Sequence, residues 1–99
     1  MKQYIFDQFV DNILKHTGFT KEQLFANNRK SDVSDARKFL YKLCKDRGIT
    51  TKAIETYMEE NGYVCYSNTI PQALSTLEKQ IANDPDYSVI LQKLSIVDA

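Results

Sequence analysis

Apolar residues return every three to four positions along almost the whole chain, the spacing of helices that bury one face. Ile5, Phe6, Phe9, Val10, Ile13 and Leu14 predict a first helix over residues 3–17, with Gly18 as its stop. Thr20 is an N-cap for a short helix carrying Leu24 and Phe25, closed by Asn27-Asn28. Val33, Ala36, Phe39, Leu40, Leu43 and Cys44 predict a third helix from Ser31 or Asp32 to about Arg47, stopped by Gly48. Thr50 or Thr51 opens a fourth, which carries Ala53, Ile54, Tyr57 and Met58 and ends near Asn61-Gly62.

The loop of residues 63–66 (Tyr63, Val64, Cys65, Tyr66) is aromatic and β-branched, with room for a short extended piece. Ser67 or Asn68 then caps a fifth helix, with Pro71 in its first turn and a narrow stripe of Ile70, Ala73, Leu74, Leu77 and Ile81. Asp84-Pro85 opens the sixth, whose apolar side is Val89, Ile90, Leu91 and Leu94. The expectation is an all-α single domain over 1–99, a compact bundle of about six helices.

Length agrees with that: 99 residues make one domain with a real core. No apolar run nears the roughly 20 residues of a membrane span. Met1-Lys2-Gln3-Tyr4 leads into an amphipathic pattern instead of a signal-peptide core, so the expected location is the cytoplasm of a bacterial or phage-infected cell. Cys44 falls on an apolar helix face and reads as a small hydrophobe, Cys65 falls in a loop, and no spacing favours a disulfide between them. With His16 far from both, there is no zinc pattern, and no metal or cofactor is expected.

Charge changes the picture through its distribution. The 13 basic and 13 acidic residues cancel. Between Arg29 and Lys52, however, eight basic residues face only Asp32, Asp35 and Asp46. On the helical wheel Arg37, Lys38, Tyr41, Lys42 and Lys45 form one side of the third helix, opposite its apolar side. Within that side only Asp35 stands where it can reach a cation, Lys38. Charge stripes are usually mere solvated surface, but like charges on one helix repel, and a phosphate would relieve the repulsion.

The fifth helix adds a second polar feature. Ser67, Asn68, Thr69 and Gln72 crowd its exposed start. Such residues on a helix surface need have no function, and Ser67 or Asn68 can serve simply as caps. Yet Asn and Gln can pair with adenine through two hydrogen bonds, and Ser or Thr can bond to any base. The fourth helix, the loop and the fifth helix read as a helix-turn-helix, whose second helix presents its first turns to the major groove. Arg29-Lys30, in a loop, suits an adjacent minor groove. The expected partner is double-stranded DNA, and the candidate contacts are Arg29, Lys30, Arg37, Lys38, Lys42, Lys45, Ser67, Asn68, Thr69 and Gln72.

Four stretches resemble the C-terminal DNA-binding domain of the bacterial replication initiator DnaA, a helical fold related to the Trp repressor. They are Asn28-Arg29-Lys30 with Val33, the run from Ala36 to Leu43, the run from Thr50 to Ile54, and Asn68-Thr69-Ile70-Pro71-Gln72-Ala73. The resemblance spans Phe6 to Leu94. It implies that Arg29 enters the minor groove, that Arg37 and Lys38 meet phosphate or base at the groove edge, and that Lys45 meets the backbone. Ser67, Asn68 and Thr69 would stand at the major-groove reading positions. Where that family carries an Asp-His pair this chain has Tyr66 and Ser67, so its base readout would differ, and the connection from Ile54 to Tyr66 is longer. No phosphate loop of the Gly-x-x-x-x-Gly-Lys type is present. A free-standing domain of this kind suggests replication or transcription control in a phage or mobile element.

Catalytic patterns are absent from the sequence: no Gly-x-Ser-x-Gly and no His-Glu-x-x-His. His16, near a helix C-terminus, suits the dipole there, and an enzyme is not expected. The competing expectation is a protein-interaction module that kept the fold and lost DNA. Neutral net charge, Glu55, Glu59 and Glu60 on the fourth helix, and the missing Asp-His pair all favour it, with the loop of residues 63–66 as the contact patch.

Overall fold

In the computed structural model, described over residues 2–26 and 30–96, six helices carry the chain. They are α1 (Lys2–Thr17), α2 (Lys21–Leu24), α3 (Ser31–Asp46), α4 (Thr51–Glu60), α5 (Thr69–Asn83) and α6 (Asp86–Leu94). No strand occurs among the described residues. Residues 63–66 form coil and not an extended piece, since a lone segment has no neighbour with which to complete a ladder.

The ends of the helices follow local chemistry. At α1 the Gly18 N–H donates to Leu14 O at 2.8 Å, with Gly18 at φ 79, where a Cβ would be strained. Thr20 and Gln23 form a reciprocal capping box at α2: Gln23 N–H donates to Thr20 Oγ1 at 3.1 Å, and Thr20 N–H to Gln23 Oε1 at 2.8 Å. Thr50 caps α4 by accepting from Ala53 N–H at 3.1 Å. The start of α5 departs from expectation. Asn68 precedes the helix without a side-chain cap, and the Thr69 hydroxyl instead fixes the turn by accepting from Tyr66 N–H at 2.9 Å.

α3 is the axis of the bundle. It touches every other helix, most extensively α1 and α5. Its buried residues include Val33, Ala36, Phe39, Leu40, Leu43 and Cys44, as the apolar pattern requires. Arg37 and Tyr41 are buried as well, at 5% and 2% exposure, which corrects the reading of both as part of a solvated cationic side. The reason is tertiary: a central helix packed by neighbours on more than one face leaves too little open circumference for a wide polar side.

Phe6, Phe9 and Ile13 of α1 meet Leu40 and Cys44 of α3, Ile54 and Met58 of α4, and Ile70 and Leu77 of α5 in one core. Ile49 joins them at 1% exposure, where its N–H returns to Cys44 O at 3.0 Å and closes the end of α3. α6 is the least embedded helix; Leu94 is buried but Val89 is 48% exposed. Asn12 ties it to α1, its Nδ2 donating to Leu94 O at 3.0 Å and Ile96 O at 2.7 Å. Asn12→Ala should lower the thermal midpoint by roughly 4–8 °C, about 1 kcal/mol for this part-exposed tie. A circular-dichroism melt superimposable on that of the parent would show that the tie contributes nothing.

Candidate nucleic-acid interface

The two features singled out in the sequence meet. α5 lies along α3, and between them runs a cleft of ≈ 260 Å³ that Arg37 and Lys38 line from α3, and Thr69 and Gln72 from α5. Four of the ten candidate contacts thus share one concave surface. Ser34, Tyr41, Tyr63 and Thr76 complete it together with Ala73. Of these, Ser34 could have been found by extending the Lys38 stripe back one turn, and Thr76 by extending Gln72 forward one turn. The placement of Tyr63 depends on the fold of the loop and had no signal in the sequence.

The cations along α3 have different surroundings. Lys30 is exposed just before the helix. Arg37 is not a free surface cation: its guanidinium donates to Leu24 O at 2.8 Å and Ala26 O at 3.3 Å, and lies 4.7 Å from the centroid of the Tyr63 ring. It thus clamps the end of α2 and the loop after α4 onto α3, which corrects its reading as an outward-facing contact. Lys38 pairs with Asp35 at 3.2 Å and Lys42 with Asp46 at 3.2 Å. Asp46, one turn beyond Lys42, is a second acidic partner on this face, so self-repulsion along it is smaller than the sequence suggests. Each such pair on a helix contributes only about 0.3–0.5 kcal/mol, weak enough to yield to a phosphate.

The remaining candidates spread outward. Lys42 faces a separate depression beside Glu78, Ser88 and Leu91, away from the cleft. Lys45 reaches the start of α4, its Nζ donating to Thr51 Oγ1 at 3.3 Å. Ser67 and Asn68 are exposed on the turn before α5, Gln72 is exposed one turn into the helix, and Thr69 is half-buried with its hydroxyl engaged by the turn. Arg29 lies outside the described residues.

Tyr41 is the unusual member. Tyr41 lines the cleft, while its hydroxyl is buried and makes no hydrogen bond of good geometry. Desolvation pushes its pKa far above that of an ordinary phenol; the Cys65 thiol beside it adds to the shift, short of a hydrogen bond of good geometry. The phenol is thus held as a neutral donor. Cys65 and Cys44 are both free and buried, and burial pushes the Cys44 thiol up to about 12, leaving it inert at neutral pH.

No protein-family model, curated protein or solved structure matches this chain. Its function has to be read from these side chains. Among the described residues no group of His, Cys, Asp and Glu is placed to hold a metal ion, and no helix is long and apolar enough to cross a membrane. The sides of the α3–α5 cleft carry basic, hydroxyl and amide groups and no carboxylate. Glu55 and Glu59 of α4 are not in its lining, but they stand near Cys65, whose thiol lies beside the Tyr41 hydroxyl.

Proposed function

We propose that this protein binds double-stranded DNA, with α5 presented to a groove and α3 flanking it along the backbone, in the manner of the replication-initiator domain that its motifs resemble. One observation carries the reading: Lys38 and Gln72 edge the same carboxylate-free cleft, which joins a cation suited to phosphate with an amide suited to a base edge. Ser67 and Asn68, exposed on the turn before α5, extend the polar edge, and Lys30 extends the cationic one. Arg37 acts here as a positioning residue for both edges. Lys42 and Lys45 lie further along α3 and contribute to the field around the site more than to contacts within it. Such a module serves replication or transcription control.

Fluorescence anisotropy with a labelled mixed-sequence duplex tests this. Affinity should fall steeply as salt rises, and Lys30→Ala and Lys38→Ala should each flatten the logarithmic slope by about one. Gln72→Ala should reduce discrimination among sequences recovered by selection from random duplexes, while leaving the slope unchanged. Absence of duplex binding at low salt would end the proposal.

A second reading has an observation of its own. Val64 and Tyr66 are 52% and 71% exposed in the loop beside Glu55 and Glu59. An apolar, acid-flanked tip of that kind suits a basic protein partner. Under that reading Tyr66→Ala abolishes capture of the partner, whereas under the first it leaves duplex affinity within twofold, an effect of about 0.4 kcal/mol.

A further inference from the structure

We infer that the α3–α5 cleft is a seat for a single phosphate group, with Tyr41, Lys38 and the hydroxyls of Ser34 and Thr76 as the groups that hold it. The inference deepens the DNA-binding reading, which supplies the first source of such a group, a phosphodiester of the duplex backbone. The same seat would also take the phosphate of a soluble phosphoester.

Three observations converge. Tyr41 lines the cleft, and its hydroxyl is buried beside the Cys65 thiol without a hydrogen bond of good geometry. An orphan of that kind carries a desolvation penalty that a ligand oxygen would remove. The lining holds two cationic side chains, hydroxyls from both helices and the Gln72 amide and no carboxylate; the one at its edge, that of Asp35, is paired with Lys38 at 3.2 Å. The Lys38 ammonium is held by a single ion pair at 3.2 Å to Asp35, part-exposed and therefore cheap to exchange for a phosphate oxygen. Phosphate oxygens are acceptors, and the cleft offers donors. At ≈ 260 Å³ and open on one side, it has room for a phosphate together with part of the sugar that carries it.

A protonated phenol is the right partner for such a group. Burial raises the pKa of Tyr41 far beyond physiological pH, so the hydroxyl donates throughout the range in which phosphate is anionic. Arg37, engaged with two carbonyls and the face of Tyr63, fixes the wall of the seat and acts by position.

The test is a two-dimensional amide NMR titration of the whole protein, first with inorganic phosphate and then with a duplex, on the parent and on Tyr41→Phe. Phosphate is expected to shift the amides of Ser34, Gln72 and Thr76 saturably. Tyr41→Phe should weaken that binding roughly tenfold, the loss of one hydrogen bond to a charged group, without lowering the thermal midpoint. Shifts that never saturate and follow only exposed lysines, or a Tyr41→Phe protein that binds phosphate like the parent, would overturn the inference. Should Tyr41→Phe melt lower, Ser34→Ala with Thr76→Ala replaces it, and the same weakening is required. The duplex then identifies the source. Competition between duplex and phosphate assigns the seat to the DNA backbone. Saturable phosphate binding with no duplex binding defeats the DNA reading and leaves a soluble phosphoester as the ligand.

Discussion

Arg37→Ala is expected to destabilise the protein by about 3 kcal/mol, a drop in thermal midpoint of roughly 10–20 °C for a domain of this size. The substitution removes a buried charged donor from Leu24 O and Ala26 O and uncovers the face of Tyr63. The buried bond to Leu24 O carries most of the loss, about 2 kcal/mol for a hydrogen bond to a charged group, while the longer, part-buried one to Ala26 O adds little. The cation–π contact adds about 1 kcal/mol. Arg37→Lys should recover only part of this, because one ammonium cannot follow both carbonyls while lying flat on a ring. Urea unfolding measures it directly: the midpoint should move at constant slope. A shift below about 0.5 kcal/mol, the usual size for a surface change, would return Arg37 to the role of a solvent-facing cation. The same variant separates positioning from contact. At a temperature where it stays folded, its salt slope for duplex binding should equal that of the parent, whereas Lys38→Ala flattens the slope.

That contrast shows where the sequence was legible. All six helices were visible in it, because each carries its apolar residues at helical spacing and most ends are marked by Gly18, Thr20, Gly48, Thr50 or Gly62. α3 and the start of α5 share one cleft, lined by Arg37 and Lys38 on one side and by Thr69 and Gln72 on the other, and the apolar stripes of both helices account for that packing. What a helical wheel could not show was the fate of Arg37 and Tyr41. The wheel places a side chain by angle, but α3 is enclosed on more than one face, so angle alone does not tell surface from interior. Arg37 still resembles a surface cation in sequence, since its partners are backbone carbonyls of another segment, which leave no residue-type signature. Lys42 shows the reverse limit. It shares the stripe of Lys38, yet the α5–α6 side draws it to a different depression beside Glu78.

Phe6→Ala should cost more than any change at the cleft, about 3–5 kcal/mol. Phe6 is wholly buried in α1, with its ring 5.2 Å from that of Tyr57 on α4 and 6.5 Å from that of Phe25 beyond α2. It therefore joins three segments that otherwise meet mainly through α3. Truncation forfeits the burial of a large aromatic side chain and leaves a void that helices fixed at their ends by Gly18 and Thr50 cannot readily close. For a domain whose whole stability is about 5–15 kcal/mol, the variant should be marginal at 37 °C and folded only on cooling. Phe6→Leu keeps most of the volume and should lose less than half as much. Phe6 lines no part of the α3–α5 cleft. In the cold, then, the folded fraction of Phe6→Ala should bind duplex with the parental salt slope and seat phosphate with the parental affinity. A changed slope in that variant would mean that the cationic edge depends on how α1 packs against α3, and that the interface extends through the core instead of residing in the side chains that line the cleft.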